Sequence, residues 1–191
     1  MAEMKREEAQ KLLAWGREQN PGPWTNHCRV VARAAETIAG KCGLDADRAY
    51  VSGLLHDIGY YSYRDGECEK DHIFAGYDLM MKKGKGYENI ARICLSHSFP
   101  LGDIKEFASS YIKCSDEEMA FITSFLAETI YDDYDKLIQL CDSLCLPQGV
   151  VILEQRLMEV VMRKGHGNLI VNRVRTRIEI AQDIKQKIFI K

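Results

Sequence analysis

The sequence predicts an all-α fold. Three observations carry that expectation. Apolar residues recur at helical spacing along most of the chain. No segment shows a sustained strand-like alternation of apolar and polar residues. Three of the four prolines fall in two breaks, NPGPW (20–24) and LPQG (146–149), leaving long uninterrupted stretches between them.

The elements follow in order. A first helix spans 5–19 and stops before Asn20-Pro21. A second runs from 25 to 41, with Val30, Val31, Ala34, Ala35 and Ile38 on one side, and Cys42-Gly43 ends it. Asp45 caps a third, 46–58, which carries GLLHDIGYY (53–61). The polar loop SYRDGECEKD (62–71) separates it from a helix over 72–83. A GKG break precedes another helix over 86–97. Helical segments over 103–111, 115–128, 131–146, 150–165 and 172–187 complete the chain. The terminal IKQKIFIK (184–191) suits a short strand or the end of a helix. A single all-α domain over 1–191 is expected, with its core over about 25–146, an N-terminal flanking helix (5–19) and C-terminal helices over about 150–187.

Composition narrows the class of protein. With 191 residues, 46% hydrophobic and 28% charged, the chain resembles an ordinary globular protein that needs no staples. Its net charge of -2 gives no global bias toward nucleic acid or an anionic membrane, so neither partner is expected. No apolar run approaches the roughly 20 residues that span a bilayer. The start, MAEMKREEAQKLL, lacks a signal-peptide layout. Seven cysteines without a CxxC pair suit reduced thiols in a cytoplasmic protein and disfavour a cysteine-ligated zinc. The oligomeric state is left open.

The chemistry lies in polar residues that fall on apolar faces. His27 opens the stripe of the second helix. His56 and Asp57 follow Leu54 and Leu55 at the inner end of the third. His97 continues the Ile90–Ile93–Cys94 face, and Asp142 lies four residues after Ile138. His72 begins its helix beside Asp71. A single inward histidine is usually a hydrogen-bonded core residue. Several imidazoles and carboxylates converging are best accommodated by a shared divalent cation, because a buried carboxylate is costly and neutral imidazole does not offset it.

His27, His56-Asp57 and Asp142, set in HCRVVARAAETIA, GLLHDIG and LIQLCDSL, resemble the H…HD…D signature of the HD-domain superfamily of metal-dependent phosphohydrolases. The resemblance implies an HD-domain-like helical bundle with a metal site between helix ends. It implies that His27, His56, Asp57 and Asp142 hold one metal, with Asp57 bridging to a second held by His72 and His97. Asp57 and His56 are the catalytic candidates. Two features depart from familiar subfamilies. The fourth histidine stands in SHS (96–98) rather than a double histidine, and Tyr60 replaces the lysine of HDIGK, which disfavours a cyclic-dinucleotide phosphodiesterase.

Ligands of histidine and carboxylate suit one or two ions of Mn, Fe, Co, Ni or Zn, with Mg fitting where waters complete its shell. The expected activity is hydrolysis of a phosphate ester or anhydride in a small phosphorylated substrate of the nucleotide type, by metal-activated water. Arg64 and Lys70, in the loop between two ligand groups, are the candidate phosphate contacts, although a solvated loop is their plainer role. Tyr60 and Tyr61 serve as site wall or packing. Arg173, Arg175 and Arg177 are expected in solvent, and His166 in a loop. Two other classes remain: a di-iron oxygenase on the same ligand set, and a metal- or phosphate-sensing module without turnover.

Overall fold

A computed structural model describes residues 4–64, 70–99, 102, 114–164 and 168–189. The helices are α1 (Arg6–Gln19), α2 (Trp24–Cys42), α3 (Ala46–Leu55), α4 (His72–Lys83), α5 (Glu88–Ser96), α6 (Asp116–Glu128), α7 (Asp133–Leu144), α8 (Leu153–Lys164) and α9 (Asn168–Phe189). A 3-10 turn, Ile58–Ser62, follows α3. The all-α expectation holds. The segment expected over 103–111 lies outside the described residues, as does His166.

Two departures from the sequence reading have a local reason. α3 stops at Leu55, so His56 and Asp57 sit in the turn after it. At LPQG the chain forms a small antiparallel hairpin, β1 (Cys145–Leu146) with β2 (Gly149–Val150), pairing Cys145 with Val150 and Leu146 with Gly149. Proline and glycine favour such a reversal, which two-residue strands announce too weakly to detect by alternation. Of the two readings of the terminal segment, the helical one holds: 184–189 continues α9.

Helix starts and stops are chemically marked. Asp45 accepts from the Arg48 amide, and Asp71 accepts from the Ile73 amide. Ser115 with Glu118, and Asp132 with Asp135, form reciprocal capping boxes that satisfy otherwise orphaned amides. α2 ends at Gly43, whose φ of 73° is left-handed and suits glycine.

Three apolar clusters build the core. The first joins Ala9 and Leu13 of α1 to Cys28 and Ala32 of α2, Leu54 and Leu55 of α3, and Ile58. The second packs Val31, Ala35 and Ala39 of α2 against Leu137, Ile138 and Cys141 of α7 and Ile180 and Ile184 of α9. The third gathers Ile73, Phe74, Leu95, Phe99, Ile122 and Leu126. Each fully buried aliphatic side chain contributes about 1.5–3 kcal/mol. The singled-out histidines and aspartates are interleaved with these anchors: His27 beside Cys28, His56-Asp57 between Leu55 and Ile58, His72 beside Ile73, and Asp142 beside Cys141.

Two glycines of GLLHDIG permit the close backbone approaches behind this arrangement. A Cβ at Gly53 would stand 2.9 Å from Ala32 Cα, so α3 lies against the backbone of α2. A Cβ at Gly59 would stand 1.8 Å from the His72 carbonyl oxygen, so the 3-10 turn abuts the start of α4.

Candidate metal centre

The six singled-out residues come together. His27 Nε2 lies 3.0 Å from Asp142 Oδ1, and His56 Nε2 lies 3.8 Å from the same oxygen. Asp57 stands between two pairs of histidines. Its Oδ2 is 3.5 Å from His56 Nε2 and 4.0 Å from His27 Nε2. Its Oδ1 is 3.3 Å from His97 Nε2 and 3.4 Å from His72 Nε2. Two groups thus have ligand atoms within 4.8 Å of one another: His27, His56 and Asp57, and Asp57, His72 and His97.

The far side of each ring explains which nitrogen faces inward. His56 Nδ1 lies 2.8 Å from the Gly53 carbonyl. A carbonyl only accepts, so Nδ1 carries the proton and Nε2 presents a lone pair. His97 Nδ1 is held in the same way by the carbonyls of Ile93 (3.1 Å) and Cys94 (2.9 Å). His72 Nδ1 is 2.7 Å from Asp71 Oδ1, an ion-pair approach without hydrogen-bond alignment. The Tyr60 ring stacks on His72 at 4.4 Å and 11°, walling that side.

These residues fit a divalent cation. His56 Nε2 is buried and has no hydrogen-bond partner, although its tautomer makes it a lone-pair donor. A cation in the cluster would satisfy it and offset the desolvation of Asp57. Holding the second ring nitrogen by a carbonyl or carboxylate is the arrangement that orients metal-ligating histidines.

Charge follows the same geometry. Burial pulls the His56 imidazole down to about 4, with Asp57 opposing. Burial also works against protonated His27, but its hydrogen bond and charge contact with Asp142 leave it raised. His97 is raised because Asp57 outweighs its burial. Burial alone would raise Asp57 and Asp142, yet the imidazoles hold both below the usual carboxylate range, His56 leading at Asp57 and His27 at Asp142. Raised His27 and His97 keep their protons to higher pH than free imidazole, while a ligating imidazole must be neutral. Metal loading is therefore expected to expel protons and to tighten as pH rises. Calorimetry in buffers of different ionisation heat reads this directly; proton uptake on binding would contradict it.

The remaining candidates are placed as follows. Arg64 is exposed, and its Nη1 donates to the main-chain carbonyls of Gln19, Tyr61 and Tyr63. Lys70 Nζ is 2.7 Å from Asp78 Oδ2 and 3.3 Å from Glu118 Oε1. Arg175 is exposed, but Arg177 is not free in solvent: it is part-buried and its Nε donates to Ser143 Oγ. The expectation of a solvated Arg177 is corrected by its register, three and seven residues before buried Ile180 and Ile184. The same periodicity was legible in the sequence. Asp71, behind His72, was legible only as a cap.

An all-α bundle whose helix ends gather four imidazoles and two carboxylates offers a cluster compatible with divalent metal binding. The HD domain profile matches residues 24–146, well over half of the chain, and the chain belongs to this family of metal-dependent phosphohydrolases. Curated relatives named ribonuclease Y share a shorter segment. Those of Thermotoga petrophila and Thermosipho melanesiensis are 42% and 35% identical over 72 residues, 38% of this chain. That of Acetivibrio thermocellus is 35% identical over 80 residues, 42% of this chain. In each case the match spans 14% of the relative's length. No solved structure matches. The expectation that nucleic acid is not a partner does not stand, because these relatives are named as ribonucleases. Net charge, on which it rested, averages over the whole surface and says nothing of one cleft. Among the described residues, no helix is long and apolar enough to cross a membrane.

Proposed function

We propose that this chain hydrolyses a phosphate ester of a ribonucleotide, RNA included, with divalent metal held by His27, His56, Asp57 and Asp142 and by Asp57, His72 and His97. The observation that carries this reading is the division of Asp57: one oxygen faces His27 and His56, the other His72 and His97. Family membership supports the reaction class, and the ribonuclease relatives support the nucleotide substrate.

When bound by these residues, a divalent ion would supply a bound water of lowered pKa and polarisation of a phosphoryl oxygen. The chain's own residues prepare the place. Gly53, Ile93 and Cys94 carbonyls hold Nδ1 of His56 and His97, so Nε2 of both rings already faces inward. Asp57 holds its charge between the two groups, where it orients both. Tyr60 covers the His72 face and limits water there.

The test is elemental analysis of the purified protein, followed by assay of an oligoribonucleotide, mononucleotides and bis-p-nitrophenyl phosphate with Mn, Co, Fe, Ni, Zn or Mg. Metal-dependent phosphate-ester cleavage is expected. A metal-loaded protein that cleaves none of them would overturn the reading. His72→Ala distinguishes one ion from two: one equivalent is expected to be lost and one kept, and unchanged stoichiometry would refute the paired arrangement.

A further inference from the structure

Ser96, the first serine of SHS (96–98), is tied to α7 at both its side chain and its main chain. Its buried hydroxyl donates to Asp135 Oδ1 at 3.2 Å. Its carbonyl accepts from Gln139 Nε2 at 3.2 Å and from the Tyr131 hydroxyl at 3.3 Å. The same two donors reach the Phe99 carbonyl, at 3.5 and 2.7 Å. The stretch that carries His97 is therefore gripped before and after the imidazole. Asp135, Gln139 and Asp142 follow one another at four and three residues, which makes them one stripe of α7. The first two hold the stretch around His97, and the third meets His27 at 3.0 Å. One helix thus supplies a carboxylate to one half of the cluster and the grip on an imidazole of the other half.

This grip is polar and buried. Ser96, Asp135 and Gln139 are each at most 1% exposed, and Arg92 of α5 pairs with Asp135 at 3.0 Å. Buried ion pairs and their networks are weak stabilisers, because desolvation offsets much of what the contacts return. Their better-attested use is to set register. The apolar contact between α5 and α7, where Ile93 joins Leu137 and Ile138, is non-directional and does not by itself fix rotation at the end of α5. Hydrogen bonds depend on distance and angle, so they do. We propose that Ser96, Asp135 and Gln139 are positioning residues for the second half of the metal centre. They set the end of α5 so that His97 Nε2 stands 3.3 Å from Asp57 Oδ1, in place for a shared cation. The proposal rests on the paired reading of Asp57 above and adds residues outside the ligand set that preform one of its halves. It also gives the serine of SHS, where the chain departs from a double histidine, a task toward α7.

The test uses the full-length protein and two measurements, Mn binding by calorimetry and heteronuclear NMR of the histidine rings without metal. In Gln139→Leu and Ser96→Ala, one Mn equivalent is expected to keep its Kd. The other, the one that His72→Ala removes, is expected to weaken about 10- to 100-fold, the scale for losing the support behind a ligating histidine. The His97 ring signals are expected to move, and those of His27 to stay in place. Equal weakening of both equivalents with a lowered Tm would overturn the proposal, since general loosening of α5 and α7 gives that result. Folded variants with both Kd values and the His97 signals unchanged would overturn it equally. Should Gln139→Leu fail to fold, Ser96→Ala, which deletes a single oxygen, carries the same expectation and the same refutation. A wild-type protein that takes up a single equivalent would instead sink the paired-ion reading. The His97 signals then decide the positioning role on their own: moved in the variants they support it, unmoved they overturn it.

Discussion

An Asp57→Asn protein is expected to stay folded, lose its metal and lose phosphohydrolase activity by about 10³-fold or more. The side chain keeps its volume, so packing between Leu55 and Ile58 is preserved. What disappears is the negative charge shared by four imidazoles at 3.3–4.0 Å. Metal-derived charge stabilisation amounts to several kcal/mol, and each 1.36 kcal/mol is tenfold in rate. Elemental analysis and circular dichroism check the two halves of the expectation. A folded variant with its full metal complement would contradict the position given to Asp57 between the two groups. His56→Ala is expected to behave similarly, whereas His166→Ala is expected to leave metal and activity alone.

Gly59→Ala is expected to produce the largest loss of stability. Its Cβ would stand 1.8 Å from the His72 carbonyl oxygen and 2.6 Å from the Gly76 amide nitrogen. Both obstacles are backbone, so no rotamer change relieves them. The 3-10 turn and the start of α4 must separate, at a cost of about 4 kcal/mol. That corresponds to a fall in Tm of roughly 8–16 °C for a chain of this size. Since α4 begins at His72, the displacement also weakens the Asp57–His72–His97 group, and one metal equivalent should go with it. Gly40→Ala is the control: nothing lies within 4 Å of its Cβ position, and alanine in the last turn of α2 is expected to gain up to about 0.5–1 kcal/mol. Thermal melts of both variants decide the matter, and equal melting temperatures would show that the turn and α4 are not in fixed contact.

Both predictions begin from GLLHDIG, but only one was legible there. The histidine and aspartate stand out in sequence because polar residues after two leucines conflict with burial. The glycines do not stand out, because a missing Cβ leaves no trace in a hydrophobic pattern. Their reason is the neighbouring backbone, which belongs to α2 for Gly53 and to α4 for Gly59. Arg177 shows the opposite case. Its register with Ile180 and Ile184 was readable, but alternate arginines at 173, 175 and 177 drew the reading toward a solvated surface. The part-buried Arg92–Asp132–Asp135 contacts, at 2.7–3.2 Å, were unreadable because their partners lie 40 or more residues apart.

What the sequence by itself determined is local: helical periodicity, capping residues, proline breaks, and which ionisable groups share a side with apolar neighbours. Those follow from spacing of 3.6 residues per turn and from the cost of burying charge. What only the tertiary structure decided is which oxygen of Asp57 meets which imidazole, which ring nitrogen faces inward, and which arginine is held by Ser143. Such relations depend on distances between segments far apart in the chain. Direction along a helix is encoded in the order of residues, whereas the meeting of two helices is settled by the whole packed core.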